Sequence, residues 1–212
     1  MRLIAENLTL SRGERRLIQG LSFAVDAGEA LVLTGPNGVG KTTLLRALAG
    51  FIVPNVGVIR LEGAPDDASV GELAHYVGHA NGVKAGLTVR ENALFWARYL
   101  SGAVRNVEAV LESLYLADIV EVPAGYLSAG QKRRLGLARL LLAERPLWLL
   151  DEPTAALDVA SQALLSSFMQ RHLDAGGILI AATHGPLGLA DARILELAPA
   201  ISDEATVTGE AS

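Results

Sequence analysis

A glycine-rich segment between a predicted strand and a predicted helix limits the folds open to this chain. Residues 29–34 form a short apolar run, and residues 35–42 read Gly-Pro-Asn-Gly-Val-Gly-Lys-Thr. Residues 41–49 then have the apolar spacing of a helix. A loop of this composition binds phosphates with its backbone N–H groups and with the N-terminus of the following helix. The segment therefore predicts an α/β fold in which a strand leads through a phosphate-binding loop into a helix.

The residues of this loop have separate predicted roles. Glycines allow the backbone to curl around phosphates without a side-chain clash. We expect Lys41 to reach the β and γ phosphates of ATP and the Thr42 hydroxyl to ligate Mg²⁺. A glycine turn before a helix would be the non-functional interpretation, and the strand and helix around the loop disfavour it. The predicted ATP ligands here are Gly35, Pro36, Asn37, Gly38, Val39, Gly40, Lys41, Thr42 and Thr43.

Two carboxylates follow a second predicted strand. Residues 147–150 are apolar and place Asp151 and Glu152 at the end of that strand, where ligands bind in open α/β sheets. We predict that Asp151 supports Mg²⁺, largely through water, and that Glu152 is the general base for the attacking water. Alone, the same residues could be an acidic turn before Pro153, so this prediction depends on the phosphate loop.

Three further segments are weaker when taken singly. Residues 128–131 read Ser-Ala-Gly-Gln and could simply cap the helix predicted for residues 132–143. Asp158 could likewise be only the N-cap of the next helix. His184 follows the apolar run 178–182, where a histidine is usually structural. Their order along the chain, around the acidic strand and after the phosphate loop, favours a functional interpretation.

In this order the segments resemble the nucleotide-binding subunit of ABC transporters. That resemblance implies a P-loop NTPase of the ABC ATPase fold: a mostly parallel core sheet, an N-terminal antiparallel β subdomain and a helical subdomain at about residues 84–143. It also implies domain boundaries. Residues 1–197 would form the nucleotide-binding domain, and the polar, acidic residues 198–212 a frayed tail.

The resemblance also implies that two chains sandwich two ATP molecules head to tail. Ser128 and Gly130, with Gln131 beside them, would then bind the γ phosphate held by the other subunit. His184 would contact the γ phosphate and orient the water, so that Glu152, His184 and Lys41 form the catalytic set. Asp158 would lie in the loop that passes between the subunits.

Two positions depart from the family pattern. Arg12 stands where the family usually stacks an aromatic ring on adenine, and an arginine plane can also stack on a base. His79 replaces a glutamine that contacts Mg²⁺, and because Mg²⁺ prefers oxygen ligands, His79 is only a weak candidate ligand. His79, with residues 82–92 and 127–134, resembles the ATP-binding subunits of cytochrome c maturation (haem exporter) systems. That resemblance implies a role in handling haem.

Composition limits the partners and the location. No run approaches the roughly eighteen apolar residues that span a bilayer, and the chain has no cysteine. A net charge of -5 and a pI near 5.4 argue against a nucleic-acid partner. The resemblance to ABC transporter subunits implies a homodimer that is bound to an integral membrane permease at the cytoplasmic face of the inner (plasma) membrane.

Other functions remain open from the sequence. The motifs also fit the ATPase subunit of a drug or lipid exporter. A non-transport ABC ATPase in DNA maintenance or translation usually carries a long coiled-coil insertion or a second nucleotide-binding unit, and neither is present. A non-hydrolysing sensor conflicts with the intact Glu152 and His184. The consecutive cations Lys132, Arg133 and Arg134 are interpreted as a solvated helix face.

Overall fold

The computed structural model describes residues 1–65, 67–101 and 106–199. Its strands are β1 (Arg2–Arg12), β2 (Arg15–Asp26), β3 (Ala30–Thr34), β4 (Val56–Glu62), β5 (Ala74–Val77), β6 (Leu147–Asp151), β7 (Ile178–Ala182) and β8 (Arg193–Glu196). Its helices are α1 (Lys41–Leu48), α2 (Val89–Ser101), α3 (Val107–Ser113), α4 (Ala129–Leu137), α5 (Arg139–Leu142) and α6 (Val159–Asp174). Single 3₁₀ turns lie at Ala117–Ile119 and Ala124–Tyr126.

The larger sheet has five strands in the order β5-β6-β7-β3-β8, and every neighbouring pair is parallel. Strands β6 and β7 are apolar and buried along their whole length, as expected for parallel strands covered on both faces. The sequence pattern does not predict β8. This edge strand has four residues, two of them charged, and therefore lacks the apolar run that marks β6 and β7.

The smaller sheet is antiparallel, in the order β2-β1-β4. Strands β1 and β2 form a hairpin in which Arg12 pairs with Arg15. Gly13 in the turn has a φ of 61°, which glycine adopts freely because it has no side chain. The apolar pattern predicts a strand over residues 21–25, and strand β2 begins six residues earlier, at Arg15. The first residues of β2 were not predicted as strand because they lack an alternating apolar pattern.

Alternate residues of the parallel sheet enter two different cores. Leu149 and Ile180 pack with the antiparallel sheet and α1, whereas Leu150 and Ala181 pack with the helices on the other face. Successive side chains of a strand point to opposite faces, so each buried strand contributes to both cores. The parallel sheet therefore has the antiparallel sheet and α1 on one face and the helical region on the other.

The helical region differs from its prediction at several boundaries. The sequence pattern predicts helix over residues 88–117, with a capping box formed by Thr88 and Glu91. The structure divides this stretch into α2 and α3, and bonds between Thr88 and Glu91 in both directions confirm the box at the start of α2. The helix predicted for 132–143 begins at Ala129 and is interrupted at Ala138. Helices α2 to α5 fall within residues 84–143, and their treatment as a subdomain of a 1–197 domain stays a prediction. The predicted tail lies almost entirely outside the described residues.

Within the described ranges, the helices fall short of the length and apolar character needed to cross a membrane.

Candidate nucleotide-binding site

The predicted site residues follow three strands that end at one edge of the parallel sheet. Ala182, the last residue of β7, pairs with Leu33 of β3 on one side and with Asp151 of β6 on the other. The chain segments after these three strands are therefore neighbours. This edge is where ligands bind in open α/β sheets.

The loop between β3 and α1 has the backbone of an anion-binding cradle. Gly35, Gly38 and Gly40 have φ values of 126°, 77° and 118°, which side chains disfavour. A side chain at Gly35 would also collide with the carbonyl oxygen of Leu197. Helix α1 begins at Lys41, and the N–H groups of its first turn have no intrahelical acceptor. The loop thus presents partial positive charge to an anion at the sheet edge.

Lys41 is buried and its ammonium group lies over the loop. Its Nζ donates to the carbonyl oxygens of Gly35 at 2.7 Å and Pro36 at 3.2 Å, and it lies 3.3 Å from Nε2 of His184. The flexible stem allows the ammonium to exchange these contacts for phosphate oxygens. The structure thus places two of the three predicted catalytic residues in contact.

Thr42 and Asp151 supply two neighbouring oxygens in the same cleft as Lys41. The Thr42 hydroxyl donates to Asp151 Oδ2 at 2.8 Å, and Asp151 is buried. Protein sites for Mg²⁺ commonly use one or two such oxygens and leave the remaining positions to water and substrate phosphates. Across the described residues there is no group of three or more His, Cys, Asp or Glu side chains arranged for a metal. The oxygen pair therefore fits a Mg²⁺ ion that is shared with a nucleotide.

Glu152 and His184 complete the constellation. The Glu152 carboxylate lies 3.8 Å from His184 Nε2, which also contacts Asn37 Oδ1 at 2.9 Å. The Glu152 side chain is 30% exposed, so water can reach it. Its backbone is held by a bond from its N–H to the Ala182 carbonyl at 2.8 Å and adopts a φ of 47°. Strained backbone of this kind recurs at functional residues.

These residues line a cleft of about 900 Å³ whose charge suits a polyphosphate. Four cations, Arg12, Arg15, Lys41 and Arg46, face it, against two carboxylates. Arg12 ends β1, where the sequence placed a base-stacking role. The sequence did not predict that Arg15 and Arg46 face the cleft. Arg15 lies in the part of β2 that was not predicted, and Arg46 lies in α1 at a position with no motif of its own. The remaining lining residues are Ser11, Leu17, Asn37, Gly38, Gly40, Thr42, Thr43, Ile52, Asp151, Glu152 and His184.

Other predicted ligands lie away from this cleft. Ser128 Oγ accepts from the Gln131 N–H at 3.2 Å, and Gln131 Oε1 accepts from the Ser128 N–H at 2.8 Å, so the two residues form a capping box at the start of α4. Gly130 follows in the first turn. Asp158 caps α6 by accepting from the Ser161 N–H at 2.8 Å, and this bond lowers the pKa of Asp158. Ser128, Gly130, Gln131 and Asp158 are therefore absent from the lining of the cleft that contains Lys41 and Glu152.

His79 is exposed in the segment after β5 and is not among the residues that line the cleft. Its role as a weak metal ligand stays a prediction. The other histidine of this region, His75, is buried in β5 with its Nε2 2.9 Å from the Ala143 carbonyl oxygen. The two imidazoles differ in environment, since one is exposed and the other is buried.

The interpretation of residues 132–134 as a solvated helix face is wrong for Arg133, which is 3% exposed. Its guanidinium donates to backbone carbonyls at the ends of β5 and β6. Three consecutive residues cover about 200° of a helix, so one of them tends to face inward. Helix geometry could therefore have predicted one buried residue among the three, but the positive charge of Arg133 suggested a solvent-exposed side chain.

Comparison with known proteins matches this fold and site to one family. The profile of the ABC transporter family matches residues 18–155. The chain is 53% identical over 203 residues to the cytochrome c biogenesis ATP-binding export protein CcmA of Rhizobium meliloti (strain 1021), covering 93% of this chain and 98% of that protein. It is 48% identical over 189 residues to the protein of the same name from Brucella abortus (strain 2308), covering 89% and 88%.

Solved structures give the same result. A Pyrococcus furiosus protein provisionally described as an ABC transporter ATP-binding protein superposes with a TM-score of 0.79 at 25% identity, covering 93% of this chain and 98% of that one. A bacterial Atm1-family ABC exporter with ATP bound superposes with a TM-score of 0.78 at 26% identity, covering 93% and 37%. On its fold, its site and these similarities, this chain belongs to the ABC transporter family, as an ABC-type ATPase.

Proposed function

We propose that this chain is the ATP-hydrolysing subunit of an ABC exporter that serves cytochrome c biogenesis, either by handling haem or by energising its release. The observation that carries the ATPase assignment is the meeting of Lys41, Glu152 and His184 at one sheet edge. The assignment to cytochrome c biogenesis rests on the names of relatives that are about half identical over most of this chain.

The geometry suits hydrolysis of a terminal phosphate. Lys41 and the N–H groups of the loop bind and orient the phosphate chain, and the cations of the cleft offset its negative charge. Glu152 accepts a proton from the attacking water, and His184, which lies beside Lys41, contacts the γ phosphate. Thr42 and Asp151 would hold Mg²⁺, which supplies charge neutralisation at the β and γ phosphates.

The positions of Ser128, Gly130 and Gln131 support a head-to-tail homodimer. Ser128 is exposed and Gly130 half-buried at the N-terminus of α4, where a helix attracts anions. Because these residues lie outside the cleft that contains Lys41, they are available to a phosphate held by a second copy of the chain. In this arrangement each copy supplies Lys41 and Glu152 to one nucleotide and Ser128 to the other, and Asp158 lies between the copies.

Exposed apolar side chains support binding to an integral membrane permease, which would hold this chain at the cytoplasmic face of the membrane. Phe51 and Val53 are 68% and 87% exposed, and with Tyr99, which is 71% exposed, they line a cleft of about 730 Å³ beside α2. Such grouped apolar residues typically mark protein or membrane contacts. A cytoplasmic helix of the permease is the occupant that this proposal assigns to the cleft.

The catalytic part of the proposal is tested with Glu152→Gln, which keeps the shape of the side chain but removes the base. We expect ATP to bind with normal affinity, phosphate release to fall at least roughly a hundredfold, and a closed dimer to accumulate. Phosphate production and sedimentation with ATP measure these effects. The comparison variant Lys41→Ala should instead weaken nucleotide binding itself. Normal turnover by Glu152→Gln would remove Glu152 from the role of base.

The partner is tested by capturing tagged Glu152→Gln with ATP from gently solubilised membranes of the source cell. We expect integral membrane proteins of cytochrome c assembly to be recovered with it. A second bait that also carries Val53→Asp should recover less of them at an equal melting temperature, since it places a charge in the apolar cleft. Recovery of an unrelated permease would overturn the role in cytochrome c biogenesis and leave the ATPase assignment intact.

A further inference from the structure

The guanidinium of Arg133 makes five hydrogen bonds near the site. None of the roles predicted for ATP binding or hydrolysis involves this residue. Its Nε donates to the Pro153 carbonyl at 3.2 Å. Its Nη2 donates to the carbonyls of Asp151 at 3.2 Å and Glu152 at 2.6 Å. One guanidinium therefore binds the carbonyl oxygens of three consecutive residues, and the middle one is Glu152, the predicted general base.

The same group also binds the segment after β5. Its Nη1 donates to the Gly78 carbonyl at 3.0 Å and to Asn81 Oδ1 at 3.1 Å. A guanidinium has five N–H donors in a rigid plane, and these five bonds use all of them. Burial lowers the pKa of Arg133, and the nearby carboxylates of Asp151 and Glu152 oppose that shift. In the described bonds the cation therefore binds carbonyl and amide oxygens, while the two carboxylates stabilise its charge without a hydrogen bond to it.

The local backbone gives these bonds a consequence for Glu152. This residue has a φ of 47°, which a side chain other than glycine rarely adopts. A conformation of this kind persists only where its surroundings hold it. Bonds from Arg133 to the carbonyls of residues 151–153 hold the peptides on both sides of Glu152. The direction of the Glu152 carboxylate therefore depends on Arg133.

Arg133 is carried by α4, whose first turn contains Ser128 and Gly130. We propose that Arg133 is a positioning residue that fixes the Glu152 backbone and ties the catalytic carboxylate to the helix bearing the predicted contacts to the second nucleotide. The proposal rests on the assignment of Glu152 as general base. It requires no contact between Arg133 and ATP.

The test compares Arg133→Lys with the wild-type chain and with Arg139→Lys. Lysine keeps the charge but offers only three donors from one point, so it cannot bind all five acceptors. We expect kcat for ATP hydrolysis to fall at least roughly tenfold, because small displacements of a catalytic group are costly, while the Kd for ATP stays within about threefold. Arg139 is a matched control, since it is also buried and donates to the carbonyls of Gly136, Tyr76 and Asn81. None of its described hydrogen bonds reaches residues 151–153.

A double-mutant cycle separates positioning from general stability. If Arg133 acts through Glu152, adding Arg133→Lys to Glu152→Gln should lower the residual rate by less than about twofold, and ATP should still drive dimerisation. An additive loss in the double variant, an equal loss of kcat in Arg139→Lys, or a wild-type kcat in Arg133→Lys would each overturn the proposal. Absence of ATP hydrolysis by the wild-type chain would instead overturn the proposed function.

A second variant keeps the proposal testable if Arg133→Lys does not fold. Asn81→Ala removes one acceptor of the guanidinium from a half-buried loop residue. We expect kcat to fall about two- to fivefold with an unchanged Kd for ATP. An unchanged kcat in Asn81→Ala would contradict the proposal in that case.

Discussion

At the scale of single residues, buried charge at this site is stabilised by hydrogen bonds more than by ion pairs. Lys41 donates to two loop carbonyls, and Arg133 donates to four carbonyls and one side-chain amide. A buried cation that is bonded to neutral oxygens keeps its charge without neutralising a nearby carboxylate. Among the described hydrogen bonds, therefore, neither cation binds the carboxylate of Asp151 or Glu152.

A histidine away from the cleft gives a prediction about pH. His75 is buried in β5, and burial lowers its pKa from 6.5 to about 4, against the opposing effect of its bond with the Ala143 carbonyl. Between these two pH values the unfolded chain binds a proton that the folded chain does not. The free energy of unfolding should therefore fall as the pH drops from 6.5 towards 4, by about 2 kcal/mol between pH 7 and pH 5.

Urea unfolding of the wild-type chain and of His75→Gln at pH 7 and pH 5 measures this effect. Glutamine cannot titrate, and its amide can donate to the same Ala143 carbonyl. His172, whose pKa burial also lowers, is present in both chains and cancels in the comparison. We expect His75→Gln to lose less free energy of unfolding than the wild type over this range. Equal losses would assign the acid sensitivity to other groups.

At the scale of elements, helices α4 and α2 both begin with a capping box, but the two boxes are expected to have different roles. In α4, Ser128 and Gln131 cap a short, polar helix whose N-terminus is proposed to bind phosphate. In α2, Thr88 and Glu91 cap a helix whose residues Ala93 and Ala97 are fully buried. Thr88 and Glu91 do not line the cleft, so the cap of α2 should affect only stability.

Substitution of Thr88 tests this separation. Thr88→Ala leaves the Glu91 N–H without its acceptor and should destabilise the chain by about 1 kcal/mol, which lowers the melting temperature by roughly 2–4 °C. The Kd for ATP should stay within about twofold of wild type. Thr88→Ser keeps the hydroxyl and should melt within about a degree of wild type. A large change in nucleotide affinity in Thr88→Ala would show that α2 and the cleft are coupled.

At the scale of the whole molecule, the proposed dimer predicts that one surface becomes protected when ATP binds. The chain contains no cysteine, so a single introduced thiol reports on one position. Ala129 is exposed in the first turn of α4. In the Glu152→Gln background, the thiol of Ala129→Cys should react with a maleimide at least about fivefold more slowly once ATP is present, because the second subunit would cover it.

The control for this measurement is Ser167→Cys, an exposed position on α6 where the hydroxyl is replaced by a thiol of similar shape. Its rate should not change with ATP. A second control adds Lys41→Ala to the Ala129→Cys chain and should abolish the protection, since nucleotide binding is weakened. Protection of both thiols, or of neither, would argue against a head-to-tail dimer with α4 at its interface.

The sequence alone determined the fold class and the family, and both predictions are confirmed. It did so because a phosphate loop, buried parallel strands and helix caps are local patterns, each written in consecutive residues. The strand-end positions of Asp151, Glu152 and His184 followed from the same patterns, and their roles stay predictions. Only the tertiary structure revealed Arg15, Arg46 and Arg133 near the site. Whether a charged side chain faces solvent or a set of carbonyls depends on segments far apart in sequence. Arg133, for example, binds carbonyls at the ends of β5 and β6, and the periodicity of its own helix does not predict which segments lie there.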